Sequence, residues 1–199
     1  MSESRREGIL AATATVIAER GLCDTRIADI ARIVGVSPAL ILYYFPNKSA
    51  LLSETVIYFE RRFHEAVTAR LADLESAEEK LYVLIEESCP DPDRTGDQTD
   101  SWLLWPATWE MARLDPALAE ARATLDAGLR AHIVTIVEEG VAKGEFADVD
   151  AEEFAIQLAA LLDGLAIETL LGDPAVDADR MNRLAQGFVR GMLTQKVRG

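Results

Sequence analysis

Hydroxyl and cationic side chains stand at three places where this chain can start a helix. Thr25 and Ser37 each precede a short apolar run, and Lys48 opens a longer one. The first turn of a helix carries partial positive charge and unpaired N–H groups, so side chains there are placed to hold phosphate-like oxygens. Arg5 and Arg6 near the start of the chain, and Arg26 beside Thr25, add further cations. Downstream, Trp102, Trp105 and Trp109 recur at i, i+3, i+7, which puts three indoles on one helical face. Pro106 interrupts the hydrogen-bond ladder among them and should kink that helix or mark its true start.

Other chemistry finds little support. Cys23 and Cys89 have no CxxC spacing and are read as reduced thiols, and His64 and His132 are equally isolated and are read as surface or satisfied core residues. There is no Gly-rich phosphate loop, no metal-ligand spacing and no nucleophile with a base beside it. The expectation is a protein that binds rather than catalyses, with no cofactor and no metal.

Helical periodicity dominates the elements that must position these groups. Ile9, Ala12, Val16 and Ile17 form a stripe that stops at Gly21, giving a first helix over about 4–20. Thr25 can cap a second, with Ile27, Ile30, Ala31 and Val34 inward and Gly35 ending it. Ser37-Pro38 supplies an N-cap with proline at the first helical position, opening a third helix through about Tyr44. Asn47 can cap a fourth, through about Leu74, whose buried side carries Leu52, Val56, Phe59, Phe63 and Val67. Ser76 with Glu79, and Asp150 with Glu153, form capping boxes for the fifth and eighth helices. Ser88–Asp100 is polar, without periodicity, and reads as a mobile loop. A sixth helix bears the tryptophans, Asp115-Pro116 starts a seventh that runs to about Gly144, and a ninth spans about 177–195.

Charge divides the chain. Its 199 residues carry a net charge of −14, which taken alone argues against phosphate binding. Residues 1–50, however, hold six Lys/Arg against five Asp/Glu, and the rest hold fourteen against twenty-nine. An acidic body behind a near-neutral head favours approach to a polyanion head first. No apolar run reaches the roughly 20 residues needed to cross a bilayer, and the first ten residues have no apolar segment like a secretory signal. A cytoplasmic location with no membrane partner is expected.

Residues 25–44, helix, tight Gly35-Val36 turn and helix, have the helix-turn-helix arrangement. Ala31 is small where the helices cross, Gly35 permits a left-handed turn, and Val36 and Ile41 plug the core. The third helix is then held outward, with Pro38, Ala39, Leu40, Leu42 and Tyr43 where base edges are read. These apolar groups suit thymine methyls rather than guanine, so Arg26 or DNA shape adds specificity. With Arg5, Arg6, Ile9, Leu10, Ala12, Gly21, Thr25, Ile30, Ala31, Gly35, Val36, Ser37, Tyr43, Phe45, Lys48, Leu51 and Leu52, this quarter of the chain resembles the TetR family of transcriptional regulators. Many members carry an aromatic phosphate contact one residue earlier, where this chain has Leu42, so which tyrosine reaches phosphate stays open.

Residues 105–116, Gly144-Glu145-Phe146 and Leu162-Asp163-Gly164-Leu165 resemble the regulatory domain of choline-responsive BetI-like members. The resemblance implies an all-α, nine-helix protein: a three-helix DNA-binding head, 1–47, on a ligand-binding and dimerisation body, 48–199. The tryptophan stripe reads either as packing or as a pocket wall, and with Glu86 or Glu110 it could hold a cation. The expected effector site, for a small cationic or aromatic molecule, draws on Phe59, Phe63, Tyr82, Glu86, Trp102, Trp105 and Trp109. Phe154, Leu158, Leu161, Leu165, Leu184 and Phe188, beside the small Ala159, Ala160, Gly164, Gly187 and Gly191, offer a homodimer face. The function expected is a regulator, usually a repressor, bound as a dimer to a pseudo-palindromic operator and released by an effector. A regulator governed by a protein partner or lacking a ligand, and a helical enzyme, are the alternatives.

Overall fold

The structure, a computed structural model, describes residues 2–90, 109, 111–113 and 115–193, apart from the side chains of 2, 3, 22, 23 and 117. Eight long helices lie among the described residues: α1 (Ser2–Asp24), α2 (Ile27–Val34), α3 (Pro38–Tyr44), α4 (Lys48–Leu71), α5 (Ala77–Glu87), α6 (Pro116–Lys143), α7 (Ala151–Leu170) and α8 (Ala178–Leu193). The expected sixth helix, with Trp102 and Trp105, falls almost wholly outside the described residues, so α6, α7 and α8 are the expected seventh, eighth and ninth. No single described helix is long and apolar enough to cross a membrane.

The chain forms two compact units, 1–62 with 92–123, and 63–91 with 124–199. Both α4 and α6 run through the division, at Arg62/Phe63 and Ala123/Thr124.

In the first unit α1 to α3 close over one core. Ile9 and Leu10 from α1, Ile30 and Ala31 from α2, Ile41 and Phe45 at α3, and Leu51 from α4 are fully or nearly fully buried together. Gly21 breaks α1 with φ 76 and ψ 166, a conformation open essentially to glycine alone. Gly35 ends α2 in the left-handed region, φ 71, and the Val36 N–H donates to the Ala31 carbonyl. Ser37 accepts from the Leu40 N–H at 3.2 Å and Pro38 takes the first helical position. This local chemistry sets α3 at 102° to α2. Asn47 accepts from the Ala50 N–H at 2.8 Å, starting α4. Asp115 caps α6, accepting from the Leu118 N–H, and also accepts from the hydroxyls of Ser49 and Ser53 on α4.

In the second unit α8 packs on α7 and on α5, and Leu81, Leu84, Ile133, Phe154, Leu158 and Val189 are buried. Ser76 and Asp150 accept from the Glu79 and Glu153 N–H groups, as their spacing predicts. The α5 terminus has a second cap that local sequence does not show. Glu145 folds back from the turn after α6 and accepts from Ser76 Oγ at 3.1 Å and from the Ala77 N–H at 2.8 Å. The turn itself uses Gly144 at φ 74, and Phe146 then plugs against Gly140. Ser88, Cys89 and Pro90 lie beyond the helix, as expected for the loop, but they are buried. The Ser88 hydroxyl, at the C-cap of α5, donates to the Leu84 carbonyl at 2.8 Å. The remainder of that loop, 91–100, lies outside the described residues.

Candidate nucleic-acid interface

On α3 the side facing away from the core carries Pro38, Ala39, Leu42 and Tyr43, all exposed, with Leu40 half-buried. Tyr43 is 81% exposed and meets the half-buried Tyr44 edge-on, ring centroids 5.5 Å apart. A tyrosine so displayed covers no core, and its hydroxyl can donate to an anionic oxygen. Leu42 is 45% exposed, and on α2 Ile33 is 51% exposed. Ile33 is absent from the sequence-based set because its neighbours Ile30 and Val34 made the whole stretch look inward. Lys48 stands half-exposed at the first position of α4, and Arg5 and Arg26 are exposed.

Two expected phosphate contacts are corrected. Thr25 is 1% exposed, and its hydroxyl donates at 2.8 Å to the Gly21 carbonyl, which the glycine break turns toward it. A buried hydroxyl takes the nearest acceptor, since leaving it unpaired costs about 1–3 kcal/mol. The cap position passes to Arg26, extended and without a side-chain cap bond, beside an open concavity lined by Arg20, Asp24, Arg26, Ala28 and Asp29. Arg6 pairs with Glu54 on α4, and its guanidinium lies 5.1 Å from the centroid of the Phe45 ring. It therefore ties α1 to the α3–α4 corner. Asp29 occupies two more cations, accepting from Arg20 at 3.0 Å and Arg32 at 2.9 Å.

The expected effector residues are distributed over both units. Phe59 (buried) and Trp109 (half-buried) belong to the first, and Phe63, Tyr82 and Glu86 to the second; Trp102 and Trp105 lie outside the described residues. Several are engaged within the chain. The Arg122 guanidinium lies over Trp109, 5.5 Å from its centroid, on a face a cationic ligand would use. Tyr82 donates to Glu78 at 2.5 Å and accepts from Arg190 of α8 at 3.3 Å; burial, then the Glu78 bond, push its hydroxyl above the usual range. Glu86 accepts from Arg70 at 3.1 Å, and the neighbouring Glu87, buried, pairs with the same guanidinium. Burial opposes the charge on Arg70, yet these hydrogen bonds hold its pKa above the ordinary value. Glu87 is the acidic group that sequence reasoning missed; only the doubled Glu-Glu at the end of α5 hinted at it.

The expected dimer face divides into two sets. Phe154 and Leu158 are buried inside the chain, Phe154 stacked on Phe188 at 5.7 Å, so they bind α7 to α8 rather than to a second chain. Leu161, Leu165 and Phe188 are half-buried, and Leu184 is exposed. Ile156 and Met192, not in the expected set, are exposed beside them, and a Cβ added at Gly164, Gly187 or Gly191 would meet open space.

A head of this geometry is shared. Residues 9–55 match the model of the bacterial regulatory proteins of the tetR family, and residues 77–194, more than half the chain, match that of the BetI-type transcriptional repressor C-terminal domain. The chain belongs to the TetR family. This TetR-family regulator is 30% identical to the HTH-type transcriptional regulator BetI of Escherichia coli K12 over 191 residues, 95% of this chain and 94% of that one. Among solved structures, a protein from Saccharomonospora viridis described as a transcriptional regulator, in complex with choline, is 32% identical with a TM-score of 0.90, covering 97% of this chain and 98% of that one. A TetR-family protein from a Rhodococcus species is 27% identical with a TM-score of 0.79, covering 97% and 100%. Membership makes this chain a helix-turn-helix, DNA-binding transcriptional regulator.

Proposed function

We propose that this TetR-family regulator acts in the cytoplasm as a homodimeric repressor of a pseudo-palindromic operator, released by a small cation of the choline kind. The observation that carries the DNA reading is α3 itself. Its exposed side is apolar, ends in a displayed Tyr43, and lies between the cations Arg26 and Lys48 in sequence. Base contact falls to Pro38, Ala39, Leu40 and Leu42, and phosphate contact to Tyr43, Ser37, Lys48 and the arm residue Arg5. Residues 1–47 are the reading head, and 48–199 hold effector and partner. The face left open on α7 and α8, with Leu184, Ile156 and Met192 around three glycines, suits close approach of a second copy.

The choline bound by the Saccharomonospora viridis relative supports a quaternary ammonium effector, and the acidic surplus of the body suits a cation electrostatically. A band-shift with DNA from upstream of the protein's own coding region tests both parts. One dimer should bind one site, and choline should raise both the fraction of free DNA and the melting temperature of the protein. Binding of a monomer, or DNA affinity and melting temperature both untouched by choline, would overturn the corresponding half.

A further inference from the structure

Two histidines occur in the whole chain, and the fold brings them together. His64 of α4 and His132 of α6 stack with ring centroids 6.2 Å apart and planes 27° from parallel. The His64 ring is half-buried and bonded to the Leu125 backbone of α6, and Phe63 meets it edge-on at 5.7 Å. Gly128 of α6 lies against the same ring: a Cβ there would sit 3.9 Å from His64 Cε1, in ordinary van der Waals contact. The ionisable groups acting on His64 are His132 and Asp126, both from α6.

We propose that His64 and His132 form a proton-operated latch between α4 and α6, closed when the stacked imidazoles are neutral and opened when both are protonated. Histidine is the side chain whose ordinary titration falls between pH 5 and 8, so these two rings are the chain's side-chain response to mild acid. One nearby carboxylate, Asp126, favours the charged form of His64 through its negative charge. Protonation of both rings places two cations face to face. Burial, and then the charge of His132, hold the His64 pKa below its ordinary 6.5. Because α4 is one uninterrupted helix from Lys48, displacement at His64 is carried toward the reading head; this consequence rests on the DNA-binding function proposed above.

NMR titration of the histidine Hε1 resonances in the full chain from pH 5 to 8 tests the latch. The wild type should show the His64 midpoint below 6.5. His132→Gln should raise the His64 midpoint by about 0.5 or more, the size Coulomb's law gives at this spacing. Should that variant melt early, His64→Gln reads the same coupling from His132. Midpoints that stay put when the partner is replaced overturn the latch. Operator affinity between pH 7.5 and 5.5 supplies a second arm, in which wild type should change several-fold more than the His64→Gln/His132→Gln double variant. Equal changes overturn transmission to the head, whereas failure to bind DNA at every pH overturns the assigned function and leaves the NMR result standing.

Discussion

Phe146 lies where Gly140 would carry a side chain: a Cβ on Gly140 would come within 2.2 Å of the phenyl ring and 2.9 Å of the Ala77 methyl. A helix-interior glycine costs about 1 kcal/mol relative to alanine, so its presence in α6 reflects this contact rather than helix preference. Overpacking a filled site costs roughly 1–3 kcal/mol. Gly140→Ala should therefore lower stability on balance despite the better helix former, by up to about 2 kcal/mol. Urea denaturation checks it, and in Phe146→Ala, where the ring is gone and only the Ala77 methyl stays close, the same substitution should cost less.

Replacing Lys48 and Leu42 should produce different kinds of loss. Lys48→Ala should weaken specific and unrelated DNA alike and reduce the slope of log affinity against log salt by about 1. Leu42→Ala should mainly relax base preference, costing about 1–3 kcal/mol at one position of the site. Tyr43, at 81% exposure, can be changed to Phe with stability within about 0.5 kcal/mol, so any DNA loss reads the hydroxyl directly. Affinities for operator and scrambled DNA across a salt series separate the three.

Leu184→Arg should convert the protein to monomers without unfolding it. The side chain is 44% exposed in the single chain, so arginine is solvated there, whereas in a two-chain interface it meets its own copy as a like charge. Sedimentation velocity should show the monomer. Operator affinity should fall more than tenfold, because each half-site is then bound without its neighbour.

Stability should fall as the medium is acidified from about pH 6.5. The folded His64 titrates lower than an unfolded histidine, for reasons of burial first and His132 second. Between the two values the unfolded chain binds more protons, so unfolding free energy rises with pH across that window and levels off below the folded value. Melting temperatures from pH 5 to 7.5 should show the slope in wild type and a shallower one in His64→Gln.

What could be read from the sequence was what three or four consecutive residues encode. Ser37, Ser76, Asp115 and Asp150 each cap the helix their spacing predicts, and Gly35 makes the left-handed turn, because a cap and its N–H are neighbours on the chain. Thr25 looked like another such cap and is not, since the acceptor it finds, Gly21, is set by a backbone break. Pairings across long separations left no local trace. Glu145 reaches the α5 terminus from 68 residues away, and His64 on α4 meets His132 on α6. Hydrophobic stripes showed that α7 and α8 were apolar but not which side served which partner. Phe154 and Leu158 went inward, and Ile156, between them, went out.

The corner where Arg6 meets Phe45 and Glu54 also limits how freely this protein could exchange parts with its relatives. A recombination join at residue 47, in the turn before α4, would transfer Arg6 and Phe45 with the donor but leave Glu54 with the recipient. Ser49, Ser53 and Asp115 would all stay behind together, so that seam heals by itself. A chimera carrying this head on a body with a lysine at the position of Glu54 would set two cations against each other at the graft. Moving the join beyond residue 54 keeps the pair intact, which makes the first two turns of α4 part of the unit of inheritance.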